Sequence, residues 1–209
     1  MPERAVKPKT LKVARAFQEF TPELHWFGEA SIEKYAQMEP KKVGKAFLKA
    51  FEKLLPPTKK WDKTREIAVG GLAAALHYSY DEDAGAGGGW SRHVDSRTLR
   101  LSRQEDGYEH YMQFRYEHTD LDNVSGGGIW TNLSFGVGAE TAKPPRDPRP
   151  SVIVQAFGGK MVEVEEFEPA EWAITEGALD RSSWQKVDGP QAQAIFGLGV
   201  EAMKLLTEL

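Results

Sequence analysis

The dipeptide Asp106-Gly107, set between two runs of alternating polar and apolar residues, limits what this chain can fold into more than any other feature. A two-residue type I′ turn needs positive φ at both positions, which Asp-Gly tolerates, so 97–105 and 108–118 read as the strands of one hairpin. The turn length decides the register. With two residues, Leu101 falls opposite Met112 and Leu99 opposite Phe114, so the apolar side chains share a face. A three-residue turn would set the same leucines opposite Gln113 and Tyr111 and mix the faces, and is rejected. The face carrying Met112, Phe114, Tyr116 and His118 continues on a third strand at 129–137 as Ile129, Thr131, Leu133, Phe135 and Val137. The centre of the chain is therefore an antiparallel meander with one buried face.

Helices are needed to bury that face, and two are legible. Val43, Phe47, Ala50, Phe51 and Leu54 form an apolar stripe over 41–55, bounded by Pro40 and by Pro56-Pro57. A final helix runs from 188 to 209 with Ile195, Leu198, Ala202 and Leu206 on one side. Gly197 and Gly199 each weaken it by about 1 kcal/mol, which close packing against the sheet would explain. A shorter helix is expected at 10–19, with Thr10 as its cap, and a further short one at 169–176. His25, Trp26, Phe27 and Tyr35 read as a structural aromatic cluster.

The intervening stretches are less sharply written. Gly70-Gly71 disfavours a helix over 66–80, and Leu76, Tyr78 and Tyr80 alternate with polar residues, so a strand is expected at about 72–80. Two glycine-rich loops should flank the meander, one over 81–89 and one over 125–128. A proline-rich spacer at 142–150 leads to a second hairpin, 151–157 with 160–167, turning at Gly158-Gly159. The expected architecture is α+β: an antiparallel sheet of about five or six strands, meander plus hairpin, with N-terminal and C-terminal helices on one face. A single domain over 1–209 would comprise a helical part (1–63), the sheet (64–168) and C-terminal helices (169–209).

Composition narrows the function. The 40% hydrophobic and 28% charged content is that of a globular protein, and the absence of cysteine excludes disulfides and thiolate chemistry. A net charge of -4 argues against a dedicated nucleic-acid binder, although the Lys face of the 41–55 helix, with Lys45 and Lys49, leaves an anionic partner open. No apolar run reaches the roughly 20 residues of a membrane span, and a soluble, cytoplasmic protein is expected.

Two function classes follow. The first is a non-catalytic protein-binding module, such as an adaptor, inhibitor or immunity-type protein. It would use an exposed sheet face (Tyr111, Arg115, Trp130, Glu163, Glu165), the loops beside Trp90, or the Lys helix, with another protein as partner and no cofactor. The second is a metal-assisted hydrolase or phosphodiesterase. His118, Asp120 and Asp122 would leave the sheet beside the second glycine loop, and His93 with Asp95 beside the first. In a meander Asp95 and His118 should come to the same end of neighbouring strands, and imidazoles with carboxylates suit a divalent metal or acid–base work. The spacing matches no specific metal motif, no glycine-rich phosphate loop is present, and the binding module is the preferred expectation.

Overall fold

The computed structural model describes residues 33–57, 62–69, 72–85, 89–105, 107–123, 127–141, 154–162, 166–168, 173–176, 185–186 and 189–209. The helix expected at 10–19, the residues 24–32, Glu163 and Glu165 lie outside these.

The hairpin forms in the expected register. Glu105 pairs with Tyr108 across a two-residue turn in which Gly107 takes φ +80°, and Leu101 faces Met112 while Leu99 faces Phe114. Around it the sheet is antiparallel throughout. Six long strands run in sequence order, β1 (Asp62–Val69), β2 (Leu72–Ala84), β3 (Trp90–Glu105), β4 (Tyr108–Asn123), β5 (Gly128–Thr141) and β6 (Val154–Val162). Three short ones, β7 (Glu166–Glu168), β8 (Ala173–Glu176) and β9 (Gln185–Lys186), extend the far edge. All connections between neighbouring long strands are local, so each strand lies beside the one that precedes it.

The strand expected at about 72–80 forms as β2, and a second strand precedes it: β1 pairs antiparallel with β2 up to Val69 opposite Leu72. Three local readings change. Asp81-Glu82-Asp83, read as loop, belongs to β2, because pairing with β3 continues to Ala84 opposite Ser91. The Gly158-Gly159 pair, read as a hairpin turn, lies within β6. There Asn132 pairs with Lys160 but Leu133 with Gly158, so one extra residue is absorbed as a bulge, a position that glycine suits. Residues 173–176, read as helix, form β8 because their backbone pairs with 154–157 of β6.

Two helices are described, α1 (Pro40–Leu54) and α2 (Gly189–Leu206). Pro40 opens α1 in its first turn, where the missing N–H costs nothing, and the Leu55 N–H closes it on the Phe51 carbonyl at 2.8 Å. Arg65 of β1 donates to the Leu54 carbonyl at 2.5 Å, tying the helix end to the sheet edge. Both helices cover the same face. Phe47 of α1 and Phe196 of α2 have ring centroids 4.8 Å apart, and Phe196 meets Phe114 of β4 edge-on at 6.1 Å. Leu76, Leu99, Leu101, Met112, Leu133 and Phe135 complete the sheet side of this core.

The glycines of α2 are explained by close approach. A Cβ on Gly199 would stand 2.7 Å from the Phe114 ring, and one on Gly197 only 2.3 Å from the Tyr35 ring. Tyr35 belongs to a short helical turn at 33–36 and is buried against α2. Its hydroxyl donates to Glu201 at 2.5 Å, and Lys34 and Lys204 reach the same carboxylate oxygen at 2.8 and 3.0 Å. Burial, then the hydrogen bond to Glu201 and its charge, push the Tyr35 hydroxyl far above its ordinary range. Burial alone would raise the Glu201 carboxyl, but hydrogen bonds from Lys34, Tyr35 and Lys204 outweigh it and hold the group below its usual value.

Candidate functional site at the distal end of the sheet

The strands outrun the helices. Gly44 of α1 sits over Tyr116 and Leu133, and β4 continues six residues further to Asp122, roughly 20 Å at about 3.4 Å per residue. Because strand alternation carries the helix-bearing face outward, that face continues as rows of side chains across β2, β3, β4 and β5. Tyr78, Arg97, Tyr116 and Leu133 form the innermost row; next come Tyr80, Asp95, His118 and Thr131, then Glu82, His93, Asp120 and Ile129. Ser91 with Asp122 ends the series. The rows grade from apolar and buried to charged and open: Tyr78 and Tyr116 are buried, His118 is half-buried, and Glu82, Asp120 and Asp122 are exposed.

The sequence-based cluster is thus brought together in register. Asp95 lies opposite His118, and His93 opposite Asp120. It does not sit at strand-end loops, since all five residues His93, Asp95, His118, Asp120 and Asp122 are within β3 or β4. The longer strands follow from the continued alternation of side chains on both sides of them. Most of the cluster is engaged with its neighbours. Arg97 forms an ion pair with Asp95 and stands 5.4 Å from the Tyr78 ring centroid. The Tyr80 hydroxyl and His93 Nδ1 are 2.9 Å apart, with Glu82 Oε1 3.9 Å from the same nitrogen. His118 Nδ1 and the Thr131 hydroxyl are 3.1 Å apart. Among the described residues no group of three or more His, Cys, Asp or Glu side chains converges to hold a metal ion.

Three tyrosine hydroxyls line the inner rows. Burial pushes the Tyr78 and Tyr116 phenols up, the Asp95 charge adds to both, Arg97 opposes both, and Thr131 opposes Tyr116 through a hydrogen bond. Tyr80 moves the same way, through desolvation first and then the Glu82 and Asp95 carboxylates. All three remain protonated hydrogen-bonding groups at neutral pH. Chemically the surface offers aromatic faces, hydroxyls, imidazoles and an outer band of carboxylates. Sequence reading put Tyr116, His118 and Thr131 on one face but did not join Tyr78, Tyr80 and Arg97 to them. The signal was the alternation that begins at Leu72 and runs on through Tyr78, Tyr80 and Glu82.

Trp90 borders the same end of the sheet. It begins β3 opposite Asn123 and is 38% exposed, in a structure whose other exposed large hydrophobic, among the described residues, is Leu209. Its indole is packed onto Gly85: a Cβ there would fall 2.1 Å from Trp90 Nε1, and the Gly85 N–H bonds the Trp90 carbonyl at 3.0 Å. Glycine is required for that stacking, and the stacking holds an exposed ring in one orientation.

The other expected binding residues are scattered. Tyr111 is buried, 8% exposed, with the Arg100 guanidinium 3.8 Å from its ring centroid; it is not part of an open sheet face. Arg115 is half-exposed and paired with Glu117. Trp130 pairs through its backbone with Thr119 and Val162, and its side chain lies outside the described residues. Lys45 and Lys49 are exposed on α1, remote in sequence from the meander. Lys49, with Lys53, Lys204, Ala46, Ala50 and Thr207, lines a groove of about 340 Å³ between the C-terminal parts of the two helices. Lysines there interact favourably with the negative ends of both helix dipoles, which accounts for Lys53 and Lys204 without a ligand.

No described helix is long and apolar enough to cross a membrane. No family model, no curated protein and no solved structure matches the chain.

Proposed function

We propose that this chain is a non-catalytic protein-binding module whose contact surface is the distal end of the sheet: the outer rows of the helix-bearing face together with Trp90. The observation that carries the proposal is the exposed Trp90 indole, seated on Gly85 on the opposite face of the sheet but at the same end as the half-buried Tyr80, His93 and His118. Rigid aromatic anchors surrounded by polar groups that exclude water are the usual source of binding energy at protein interfaces. Tyr80, Arg97 and Thr131 hold His93, Asp95 and His118 in place, which lowers the ordering cost of a recognition surface.

The test is a comparison of tagged proteins in extracts of the native host. Wild type is run beside Trp90→Ala/Tyr80→Ala and beside Lys45→Glu/Lys49→Glu, with proper folding checked by circular dichroism. The proposal expects one or more proteins retained by wild type and by the lysine variant and lost from the aromatic variant. Retention by the aromatic variant, or no partner above background with wild type, overturns it.

A further inference from the structure

The seam between the two helices holds a second site, away from the distal face and independent of the binding reading above. We infer that the groove between the C-terminal halves of α1 and α2 binds a small phosphomonoester. The groove exists because α1 carries alanine at two positions one turn apart, Ala46 and Ala50, where it meets α2. The buried pair Phe47 and Phe196 joins the helices, and the small side chains beside it leave about 340 Å³ unfilled. Lys49 and Lys53, also one turn apart, line it from α1, and Lys204 with Thr207 lines it from α2. Among the described residues no carboxylate lines the groove, although the chain as a whole carries a net charge of -4.

The charges around this groove do not cancel within the protein. Lys49 and Lys53 are exposed and have no ion-pair partner among the described residues. Lys204 shares the Glu201 carboxylate with Lys34, so those three groups leave one positive charge. Each helix C-terminus carries roughly half a negative charge, and the two together offset about one of the three positive charges. The Thr207 hydroxyl donates to the Lys204 carbonyl at 2.6 Å, which blunts the end of α2 further. Dipole attraction accounts for lysines in the last turns, Lys53 and Lys204, but it fades before Lys49. About two positive charges therefore remain, over a floor of alanine methyls and walls of aliphatic lysine stem. The complement is a dianion on a compact body, and a phosphomonoester carries about −1.5 to −2 at neutral pH. Size points the same way. Ala46 to Lys53 spans roughly 10 Å of helix at about 1.5 Å per residue, too short to seat a partner helix. A volume of about 340 Å³ falls within the range of small-molecule sites, about 300 to 1,000 Å³. No aromatic side chain lines the groove, so a nucleotide base would find no ring to stack on.

The probe is n-butyl phosphate, titrated into the ¹⁵N-labelled full chain at physiological salt, with n-butyl sulfate, similar in shape but singly charged, as the comparison. The inference expects amide shifts concentrated in 46–54 and 203–208, with the phosphate bound several-fold more tightly than the sulfate at about pH 8. That gap should close at about pH 5, where the phosphate, whose second ionisation lies near about 6, has become a monoanion. Lys49→Gln/Lys53→Gln should weaken butyl phosphate binding by roughly fivefold to tenfold, as for two exposed ion pairs. Ala46→Leu, which fills the groove and leaves every charge in place, should weaken it at least as much. Lys41→Gln/Lys42→Gln removes the same charge from α1 about 10 Å or more along the axis from Lys49, beyond a Debye length of about 8 Å, and should leave affinity within about twofold. Circular dichroism establishes that each variant is folded. Equal affinity for the two anions at the higher pH, or full binding by Ala46→Leu, overturns the inference. So does equal weakening by the two lysine pairs, which would mark a general attraction of the lysine face, and so does no binding of butyl phosphate up to about 10 mM. Capture of a partner through the distal face stands or falls separately.

Discussion

Two glycine-to-alanine substitutions, one in each helix, should change stability in opposite directions. Alanine is favoured over glycine in a helix interior by about 1 kcal/mol, so propensity alone predicts that both stabilise. Packing separates them. At Gly44 an added Cβ would meet Tyr116 at 3.5 Å and Leu133 at 3.7 Å, ordinary van der Waals contact that adds attraction without displacement. At Gly199 it would lie 2.7, 2.9 and 3.1 Å from three atoms of Phe114. That side chain is fully buried and is held edge-on by Phe196, so it has little room to yield. Overpacking of this kind costs about 1 to 3 kcal/mol, and with the upper end applying to a ring that cannot rotate away, about 2 kcal/mol of net loss remains after the propensity gain.

Gly44→Ala should therefore stabilise by about 1 kcal/mol and Gly199→Ala destabilise by about 2 kcal/mol, a difference of roughly 6 to 12 °C in Tm at about 2 to 4 °C per kcal/mol. Urea denaturation measured on both variants beside wild type gives the signs directly. A double-mutant cycle with Phe114→Leu should show favourable coupling to Gly199→Ala, since the smaller side chain makes room. Equal signs for the two alanines, or no coupling to Phe114, would refute the placement of α2 against β4.

Other consequences are equally direct. Tyr35→Phe should cost about 1 to 2 kcal/mol in urea denaturation at neutral pH, because it removes a hydrogen bond to a partly buried carboxylate. Since the folded Glu201 carboxyl is held below its ordinary value of 4.5, its contribution is fully present above that pH and is lost as pH falls through the lower folded value. The stability gap between wild type and Glu201→Gln should thus be constant near neutrality and close in acid; a gap that widens in acid contradicts the sign. Thr119 is buried with no hydrogen-bond partner for its hydroxyl among the described residues, so Thr119→Val, which keeps the β-branched shape, should raise stability by about 1 kcal/mol. Gly85→Ala should displace the Trp90 indole, changing intrinsic fluorescence and weakening partner binding while leaving Tm within a few degrees, since the contact is exposed.

The fold was legible where side-chain period and turn chemistry agreed. Asp106-Gly107 set the register of the meander, the stripe from Val43 to Leu54 located α1, and the two glycines of α2 already implied a close approach. Strand ends were harder to read. Asp81-Glu82-Asp83 and the Asp120 to Asp122 stretch look like loop because their side chains are charged, yet backbone pairing carries strands through them when neighbours continue on both sides. Gly158-Gly159 carries a turn signature but serves as a bulge, a distinction fixed by which strands come to lie beside it. For the site, the pairing of Asp95 with His118 and the shared face of His118 and Thr131 followed from the meander, while the rest of its surroundings did not. Tyr78 and Tyr80 join those groups only through the β2–β3 register, and the Arg100 guanidinium comes within 3.8 Å of the Tyr111 ring centroid through the β3–β4 pairing.

The central claim is that the distal end of the sheet is the contact surface. Hydrogen–deuterium exchange of the chain, free and in complex with its captured partner, tests it most directly. The account predicts slowed exchange in 78–85, 90–97 and 116–123 with α1 unchanged; protection confined to 40–54, with the strand ends exchanging as in the free protein, would contradict it.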